Sequence, residues 1–215
     1  MQNRWSAAEA RRFVDDYGRK SYNADLALRV YTSRLLGAES ALVLHGGGNT
    51  SVKTRVCDVV GDDVAVLCVK GEAAAAVLSA AAPALAGKTV IDTTNPISAA
   101  PAEGGVLRYF SALDDSLMER LQSAHPGVHL VKAFNSVGNT RMVNPRYAEG
   151  RPTMFICGDD AAAKATVSSL LDAFGWDTVD MGGVRSARAI EPLCMLWCIP
   201  GYLRNEWGHA FKLLR

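Results

Sequence analysis

The chain of 215 residues is long enough for one well-packed domain, and its hydrophobic share of 49% is ordinary for a globular protein. A formal net charge of +1 gives no electrostatic reason to expect nucleic acid or an anionic membrane as a partner. The longest apolar runs, of about ten residues, are too short to span a bilayer, and no signal peptide is visible. The five cysteines have no framework spacing, so we expect a reduced, cytoplasmic protein.

The first part of the chain predicts helices followed by short strands. Ser6 can cap a helix over residues 6–17, because Glu9 follows three residues later. A second helix is predicted over residues 23–36, where apolar residues recur at helical spacing as far as Gly37. Short strands are predicted next, over residues 41–45, 52–60 and 64–69.

From residue 72 the pattern alternates between helix and strand, which is typical of parallel β-α-β units. Helices are predicted over residues 72–82, 115–124 and 161–174. Strands are predicted over residues 88–92, 129–134, 153–157 and 177–180. The expected N-caps are aspartates, Asp114 or Asp115 for the middle helix and Asp159 or Asp160 for the last one.

The C-terminal part, from Ser186, predicts helix with a break at Pro200-Gly201. Glu191 lies in an apolar segment, where we expect it to be buried and to make a structural hydrogen bond. His209 is predicted to be a surface residue of the terminal helix. The two cysteines of this segment, Cys194 and Cys198, are predicted to lie in the core. Its aromatic residues are predicted to lie in the core or on a dimer face: Trp197, Trp207 and Phe211.

Polar residues follow two of the predicted strands. Thr93-Thr94-Asn95-Pro96 follows the strand over residues 88–92, and Asn135-Ser136 follows the strand over residues 129–134. Ligands of open parallel sheets bind beyond the carboxyl ends of the strands, and hydroxyls and amides there can bond phosphate, ribose or carboxamide groups. The alternative is that these residues only make the turns.

Residues from about 62 to 215 resemble the deazaflavin-dependent NADP oxidoreductase family and its dinucleotide-binding relatives. The stretches that carry the resemblance are AGKTVIDTTNPI, HLVKAFNSVGN, PTMFICGDDAAAKATVSSLLDAFGWDT and ARAIEPLCMLWCIPG. The resemblance implies an α/β fold with a largely parallel, doubly wound, Rossmann-like sheet. It also implies a homodimer formed through C-terminal helices, and hydride transfer between the nicotinamide of NADP and a deazaflavin coenzyme or similar acceptor.

The same resemblance implies a cofactor site. Its residues would be Lys70, Gly71, Thr93, Thr94, Asn95, Pro96, Ala133, Phe134 and Asn135. Because the nicotinamide supplies the difficult chemistry, no catalytic acid or base is predicted.

The glycine-rich unit of that family is not recognisable. The family opens with a strand, a G-x-G-x-x-G turn and a helix that together hold the pyrophosphate, so we expect a sheet incomplete at its N-terminal half and weak cofactor binding. Gly46–Ser51 matches G-x-G-x-x-[small] after a predicted strand. However, Val52–Val56 alternates β-branched residues and predicts a strand, whereas a Rossmann turn opens a helix.

Residues 1–71 resemble the N-terminus of the class II aldolase and adducin family. The matching run is DLALRVYTSRLLGAESALVLHGGGNTSVK, followed by VLCVKG. The resemblance implies a helix-plus-hairpin element with a phosphate-binding loop at Gly48, Asn49, Thr50 and Ser51. Aldolase chemistry needs a zinc ion held by three histidines, and the four histidines here include no H-x-H pair, so no metal site is expected.

Together these patterns predict three parts: an aldolase-like segment over residues 1–61, a partial dinucleotide-binding domain over residues 62–185 and a helical segment over residues 186–215. The first hypothesis is an NAD(P)-dependent oxidoreductase. The alternatives are a non-catalytic dimeric remnant or fusion protein, and a phosphate- or sugar-phosphate-binding module.

Overall fold

The computed structural model describes residues 6–19 and 64–214. The chain divides into two compact units, Met1–Val56 and Cys57–Arg215, and each is described by itself. The division at residues 61 and 185 stays a prediction.

Several sequence predictions lie outside the described residues. They are the helix over residues 23–36, the strands over residues 41–45 and 52–60, and the Gly48–Ser51 loop.

In the first unit, helix α1 spans Ala7–Gly18 and confirms the helix predicted there. Ser6 is its N-cap, and the Ser6 hydroxyl accepts a hydrogen bond from the backbone N–H of Glu9 at 3.3 Å. The rings of Phe13 and Tyr17 stack one turn apart, with their centroids 6.0 Å from each other. The local capping signal was therefore sufficient to locate this helix.

The second unit contains two groups of parallel strands. The strands are β1 (Val64–Leu67), β2 (Thr89–Asp92), β3 (His129–Lys132), β4 (Thr153–Ile156) and β5 (Asp177–Asp180). Strands β1, β2 and β3 pair in that order, and β4 pairs with β5. The two groups meet at an antiparallel bridge, where the Lys132 N–H donates to the Cys157 carbonyl at 2.9 Å. The predicted largely parallel sheet is confirmed, with one antiparallel junction.

Four α-helices accompany the strands within residues 64–214 of the second unit. They are α2 (Gly71–Leu85), α3 (Leu117–Ala124), α4 (Ala161–Ala173) and α5 (Ala187–Arg204). Asp160 caps α4 as predicted, and its Oδ1 accepts the Ala163 N–H at 2.7 Å. The prediction of an aspartate cap for α3 is wrong, because Ser116 caps it and Asp115 pairs with Arg120 instead.

The helices cover both faces of the sheet. Because side chains alternate along a strand, Val90 and Leu130 enter one core cluster while Ile91 and Val131 enter another. Residues from α2, α3 and α5 belong to the first cluster, and residues from α4 belong to the second. A third cluster contains Cys194, Cys198 and Trp197, which confirms the core positions predicted for the two cysteines.

The predicted helix break at Pro200-Gly201 is wrong, because α5 continues to Arg204. Gly201 is buried under Trp207, and a Cβ atom at residue 201 would lie 2.4 Å from atoms of the indole ring. The helix ends instead at Asn205, which adopts a left-handed conformation with φ of 57°. Tertiary packing against a glycine therefore overrides the local breaker signal.

Residues 205–214 are not helical, so the prediction of a terminal helix is wrong there. The chain returns towards β4, where the Thr153 N–H donates to the Phe211 carbonyl at 2.8 Å. His209, predicted as a surface residue, is half-buried, with its ring 5.2 Å from the ring of Trp197. The indole N–H of Trp197 donates to the His209 carbonyl at 2.9 Å, which fixes the tail against α5.

Three charged side chains are buried together where β2, β3 and α5 meet. Lys132 and Asp92 are 0% exposed, and Glu191 is 1% exposed. Lys132 Nζ lies 2.7 Å from Asp92 Oδ2 and 3.0 Å from Glu191 Oε1. Asp92 Oδ2 has no aligned hydrogen-bond donor in the described part of the chain, so its contact with Lys132 is a charge pair. We call these three residues the buried ion cluster.

The surroundings keep Lys132 charged and hold Glu191 in place. Burial by itself lowers the pKa of Lys132, but the carboxylates of Asp92 and Glu191 outweigh it and raise that pKa above its usual value. Glu191 also accepts the backbone N–H groups of Leu117 and Met118, each at 3.0 Å, in the first turn of α3. This confirms the structural hydrogen bond predicted for Glu191.

We predict that Lys132→Met lowers the free energy of unfolding by about 3–5 kcal/mol, because it leaves two carboxylates buried without their counter-ion. Urea unfolding measures the change. The control is Arg108→Met, since Arg108 pairs with Glu103 where both side chains are exposed, at 58% and 70%, and such surface pairs contribute at most about 1 kcal/mol. Equal losses in the two variants would contradict the prediction.

The pH dependence of that difference follows from the raised pKa of Lys132. A group whose pKa is higher in the folded state contributes its full stability below the unfolded pKa, about 10.4 for lysine. We therefore expect no loss of the stability difference between the wild type and Lys132→Met as the pH rises from neutral to about pH 9. It should shrink only as the pH rises through the folded pKa. A difference that shrinks as the pH rises from about 7 to about 9 would contradict the assignment.

We predict that Gly201→Ala destabilises the protein by about 1–3 kcal/mol, because the new methyl group would collide with the indole ring of Trp207. Gly18 of α1 provides a matched control, since a Cβ atom added there would meet no atom of residues 6–19 or 64–214 within 4 Å. Gly18→Ala should stabilise its helix by about 0.5–1 kcal/mol. In thermal unfolding, Gly201→Ala should lower the midpoint temperature and Gly18→Ala should raise it. A higher midpoint temperature in both variants would refute the packing argument.

Candidate functional site

A cavity of about 490 Å³ opens at the carboxyl ends of β1 and β2. It is lined by residues 69 and 70, which connect β1 to α2, by residues 71 and 72 at the start of α2, and by residues 93–95 and 97–99, which follow β2. Ligands of open α/β sheets bind at this edge, and small-molecule sites usually measure about 300–1,000 Å³. The cavity is therefore the candidate ligand site.

The structure brings part of the predicted cofactor site together around this cavity. The predicted residues in its lining are Lys70, Gly71, Thr93, Thr94 and Asn95. Pro96 and Ala133 are buried and do not line the cavity. Asn135 lies behind the lining, where its backbone carbonyl accepts the Asn95 side-chain amide at 2.8 Å.

Residues 93–95 form one side of the cavity, which we call the polar wall. Thr94 is 2% exposed, and its N–H and hydroxyl both donate to Asp92 Oδ1, at 2.9 and 2.7 Å. The Thr94 carbonyl accepts Lys132 Nζ at 2.8 Å. The hydrogen-bonding groups of Thr94 are thus engaged within the protein and set the shape of the wall.

The N-terminus of α2 faces the polar wall at very close range. A Cβ atom at Gly71 would lie 2.0 Å from the Asn95 carbonyl oxygen, so only glycine allows this approach. Lys70 occupies the N-cap position, its side chain is exposed, and it makes no capping hydrogen bond. First-turn N–H groups together with a lysine suit an anionic group such as a phosphate.

Ser98 is a lining residue that the sequence patterns did not predict. Its Oγ is shielded from solvent and has no hydrogen-bond partner among residues 6–19 and 64–214. Its backbone is fixed, because the Ser98 N–H donates to the Arg108 carbonyl at 2.9 Å. A shielded hydroxyl without a partner is suited to bond a polar ligand. No signal in the sequence distinguishes this serine from an ordinary loop residue.

Phe134 lies apart from the cavity, although the resemblance placed it in the site. Its backbone is left-handed, with φ of 60°. Its ring packs 6.3 Å from both Phe174 and Trp176 in the core cluster beside α4. The side chain of Phe134 is therefore a core element of the second sheet face.

Neither a metal centre nor a membrane-spanning helix is found in the described ranges. Among residues 6–19 and 64–214, no group of three or more histidine, cysteine, aspartate or glutamate side chains could hold a metal ion. No helix in the same ranges is both long and apolar enough to cross a membrane.

A family model described as NADP oxidoreductase, coenzyme F420-dependent, matches residues 27–96. The match includes β1, α2, β2 and the polar wall. It begins inside the segment 1–71 for which the sequence suggested an aldolase resemblance. The comparisons do not support that second resemblance, which stays a prediction.

The chain is similar in sequence to a metalloreductase and to an F420-dependent NADP reductase. The chain is 37% identical to rat metalloreductase STEAP3 over 124 residues, which are 55% of this chain and 23% of that protein. It is 30% identical to the F420-dependent NADP reductase of Methanothermobacter marburgensis over 149 residues, which are 66% of each chain. The chain thus spans less than a quarter of the first relative and about two thirds of the second.

A solved structure from Arthrobacter sp. FB24, described as a putative F420-dependent NADP reductase, superposes with a TM-score of 0.65. It is 33% identical and is aligned over 70% of this chain and 68% of its own. This likeness confirms the predicted Rossmann-like α/β fold. With this identity over more than two thirds of a solved relative, the chain belongs to the family of coenzyme F420-dependent NADP oxidoreductases.

Proposed function

We propose that the protein is an NADP-dependent oxidoreductase that transfers hydride between the nicotinamide of NADP and a deazaflavin coenzyme or a similar acceptor. The observation that carries the proposal is the cavity shared by the polar wall and the N-terminus of α2. Membership of the family supports it, since the family description names both NADP and coenzyme F420.

The lining residues fit a nucleotide by their chemistry. Lys70 and the first-turn N–H groups of α2 would bind a phosphate. Ser98, whose shielded Oγ has no partner in the described ranges, would bond a sugar hydroxyl or the carboxamide. Asn95 is held in one orientation, because its Oδ1 accepts the Asn135 side-chain amide at 3.1 Å.

When NADP is bound, its nicotinamide supplies the hydride chemistry. The residues of this chain bind and orient the ring and limit the access of water. No side chain of the lining has to donate or accept a proton for the hydride to move. This assignment of roles is consistent with a lining whose polar side chains are mostly hydroxyls and amides, with Lys70 and Glu72 as its charged residues.

We further propose that NADP binds weakly, because no glycine-rich turn followed by a helix is recognisable in the sequence. A homodimer through α5 is part of the proposal, supported by the exposed side chains of Leu196, Tyr202 and Leu203, which are 54%, 52% and 55% exposed. The cytoplasmic location, the dimeric remnant and the phosphate-binding loop at Gly48–Ser51 stay predictions without a structural observation in their favour.

We predict saturable binding of NADPH, followed by nicotinamide fluorescence, with NADH and buffer as references. Gly71→Ala should weaken the binding at least about tenfold, because its Cβ would displace the Asn95 carbonyl and deform the polar wall. Gly127→Ala is the matched control, since a Cβ atom added there would meet no atom of the described residues within 4 Å, and its affinity should equal that of the wild type.

Three results would overturn the proposed function or narrow it. An absence of wild-type binding up to millimolar NADPH would overturn it. Equal affinities in Gly71→Ala and the wild type would remove the cavity as the site, even if NADPH binds. A bound cofactor that reduces no deazaflavin would limit the proposal to nucleotide binding.

A further inference from the structure

We propose that Lys132 is a positioning residue that holds the polar wall of the cavity in the shape needed for ligand binding. This inference rests on the proposed function, because it assigns to a buried side chain a role in the same cavity. It assigns to the buried ion cluster the role of supporting the cavity, since the hydride transfer itself does not involve these three side chains.

The contacts of Thr94 connect the buried ion cluster with the wall. Asp92 Oδ1 accepts the N–H and the hydroxyl of Thr94, and Lys132 Nζ donates to the Thr94 carbonyl. The backbone of one wall residue is therefore held from two sides by opposite charges. Since Asp92 and Lys132 are themselves 2.7 Å apart, the position of Thr94 is fixed relative to both β2 and β3.

Burial makes these contacts hard to replace. Thr94 is 2% exposed and Lys132 is 0% exposed, so the Thr94 carbonyl and its donor lie in the interior, away from bulk water. A buried carbonyl without a donor is unfavourable, and the backbone would shift to find one. The shift would begin at Thr94 and pass directly to Asn95, which lines the cavity.

A second set of contacts ties the wall to α5. The side-chain amide of Asn135 donates both to Asn95 Oδ1, at 3.1 Å, and to the Ile190 carbonyl, at 2.9 Å. Glu191, the next residue of α5, contacts Lys132. Residues 190 and 191 thus meet the wall through two separate side chains, which makes α5 a support of the cavity.

Lys132 itself does not line the cavity. Its Nζ is surrounded by Asp92, Glu191 and the Thr94 carbonyl, so it has no free direction in which to bind a ligand or exchange a proton. Its influence on a ligand must pass through Thr94. If Lys132 served only the stability of the domain, its replacement would loosen all parts of the domain to a similar degree. If it positions the wall, its replacement should loosen the wall more than the rest, and amide exchange can measure this.

The first measurement is amide hydrogen exchange of the ligand-free, full-length protein, read in peptides that cover residues 93–98 and residues 161–173. Lys132→Met should increase exchange in the first peptide at least about tenfold more than in the second. Leu171→Ala is the matched control, because it removes a fully buried side chain from α4, away from the wall. It should affect the second peptide more. An equal increase in both peptides of Lys132→Met would overturn the inference.

Two further variants test the proposal in case Lys132→Met does not fold. The double variant Lys132→Met/Glu191→Gln keeps one net negative charge in the cluster, as in the wild type, while it removes the donor to Thr94. Thr94→Val keeps all three charges and removes only the hydroxyl that binds Asp92. Both should increase exchange selectively in residues 93–98, Thr94→Val by a smaller factor. Unchanged exchange there in a folded variant would contradict the proposal.

The second measurement is the NADPH affinity at a temperature where every variant is fully folded. Lys132→Met should weaken binding about tenfold to a hundredfold, as expected for a displaced binding group, and Leu171→Ala should stay within about twofold of the wild type. If the wild type binds and Lys132→Met binds equally well, the inference fails and the proposed function stands. If the wild type does not bind NADPH, the proposed function fails and the exchange measurement still decides the inference.

Discussion

The ion pairs of Lys132 with Asp92 and Glu191 are the constraint on which the second unit depends. They join the ends of two neighbouring strands to the C-terminal helix, in a place that water does not reach. Charges in such a place are tolerated only when their partners are close and well placed. The cluster therefore restricts β2, β3 and α5 to one mutual arrangement. The contact of Lys132 with the Thr94 carbonyl fixes one wall of the candidate cavity in the same way.

This arrangement changes the interpretation of the polar residues that follow β2. From the sequence, their hydroxyls and amides suggest direct bonds to a ligand. In the structure, Thr94 directs its groups towards the buried ion cluster, and the side chain of Asn95 is paired with Asn135. The polar groups of Thr94 and Asn95 thus bond within the protein and stabilise the wall. The hydroxyl of Ser98 and the N–H groups at the N-terminus of α2 are the groups left to bond a ligand.

Local signals predicted much of the fold because they act over a few residues. The cap at Ser6, the cap at Asp160 and the order of strands and helices all follow from short patterns. The sequence could not reveal that Lys132 is buried, because its contact with Thr94 joins residues 38 positions apart. The sequence also did not predict that α5 continues through Pro200, because the packing of Trp207 over Gly201 is a tertiary contact that forms only after the chain has turned back.

The return of the tail to β4 has a consequence for the behaviour of the protein in solution. The Phe211 carbonyl occupies the N–H of Thr153, and the Leu213 N–H donates to the Thr153 hydroxyl at 3.0 Å. A strand with open backbone groups can pair with another molecule and start aggregation. The tail closes this position at the start of β4, so residues 211–213 leave the Thr153 N–H unavailable for pairing with another molecule.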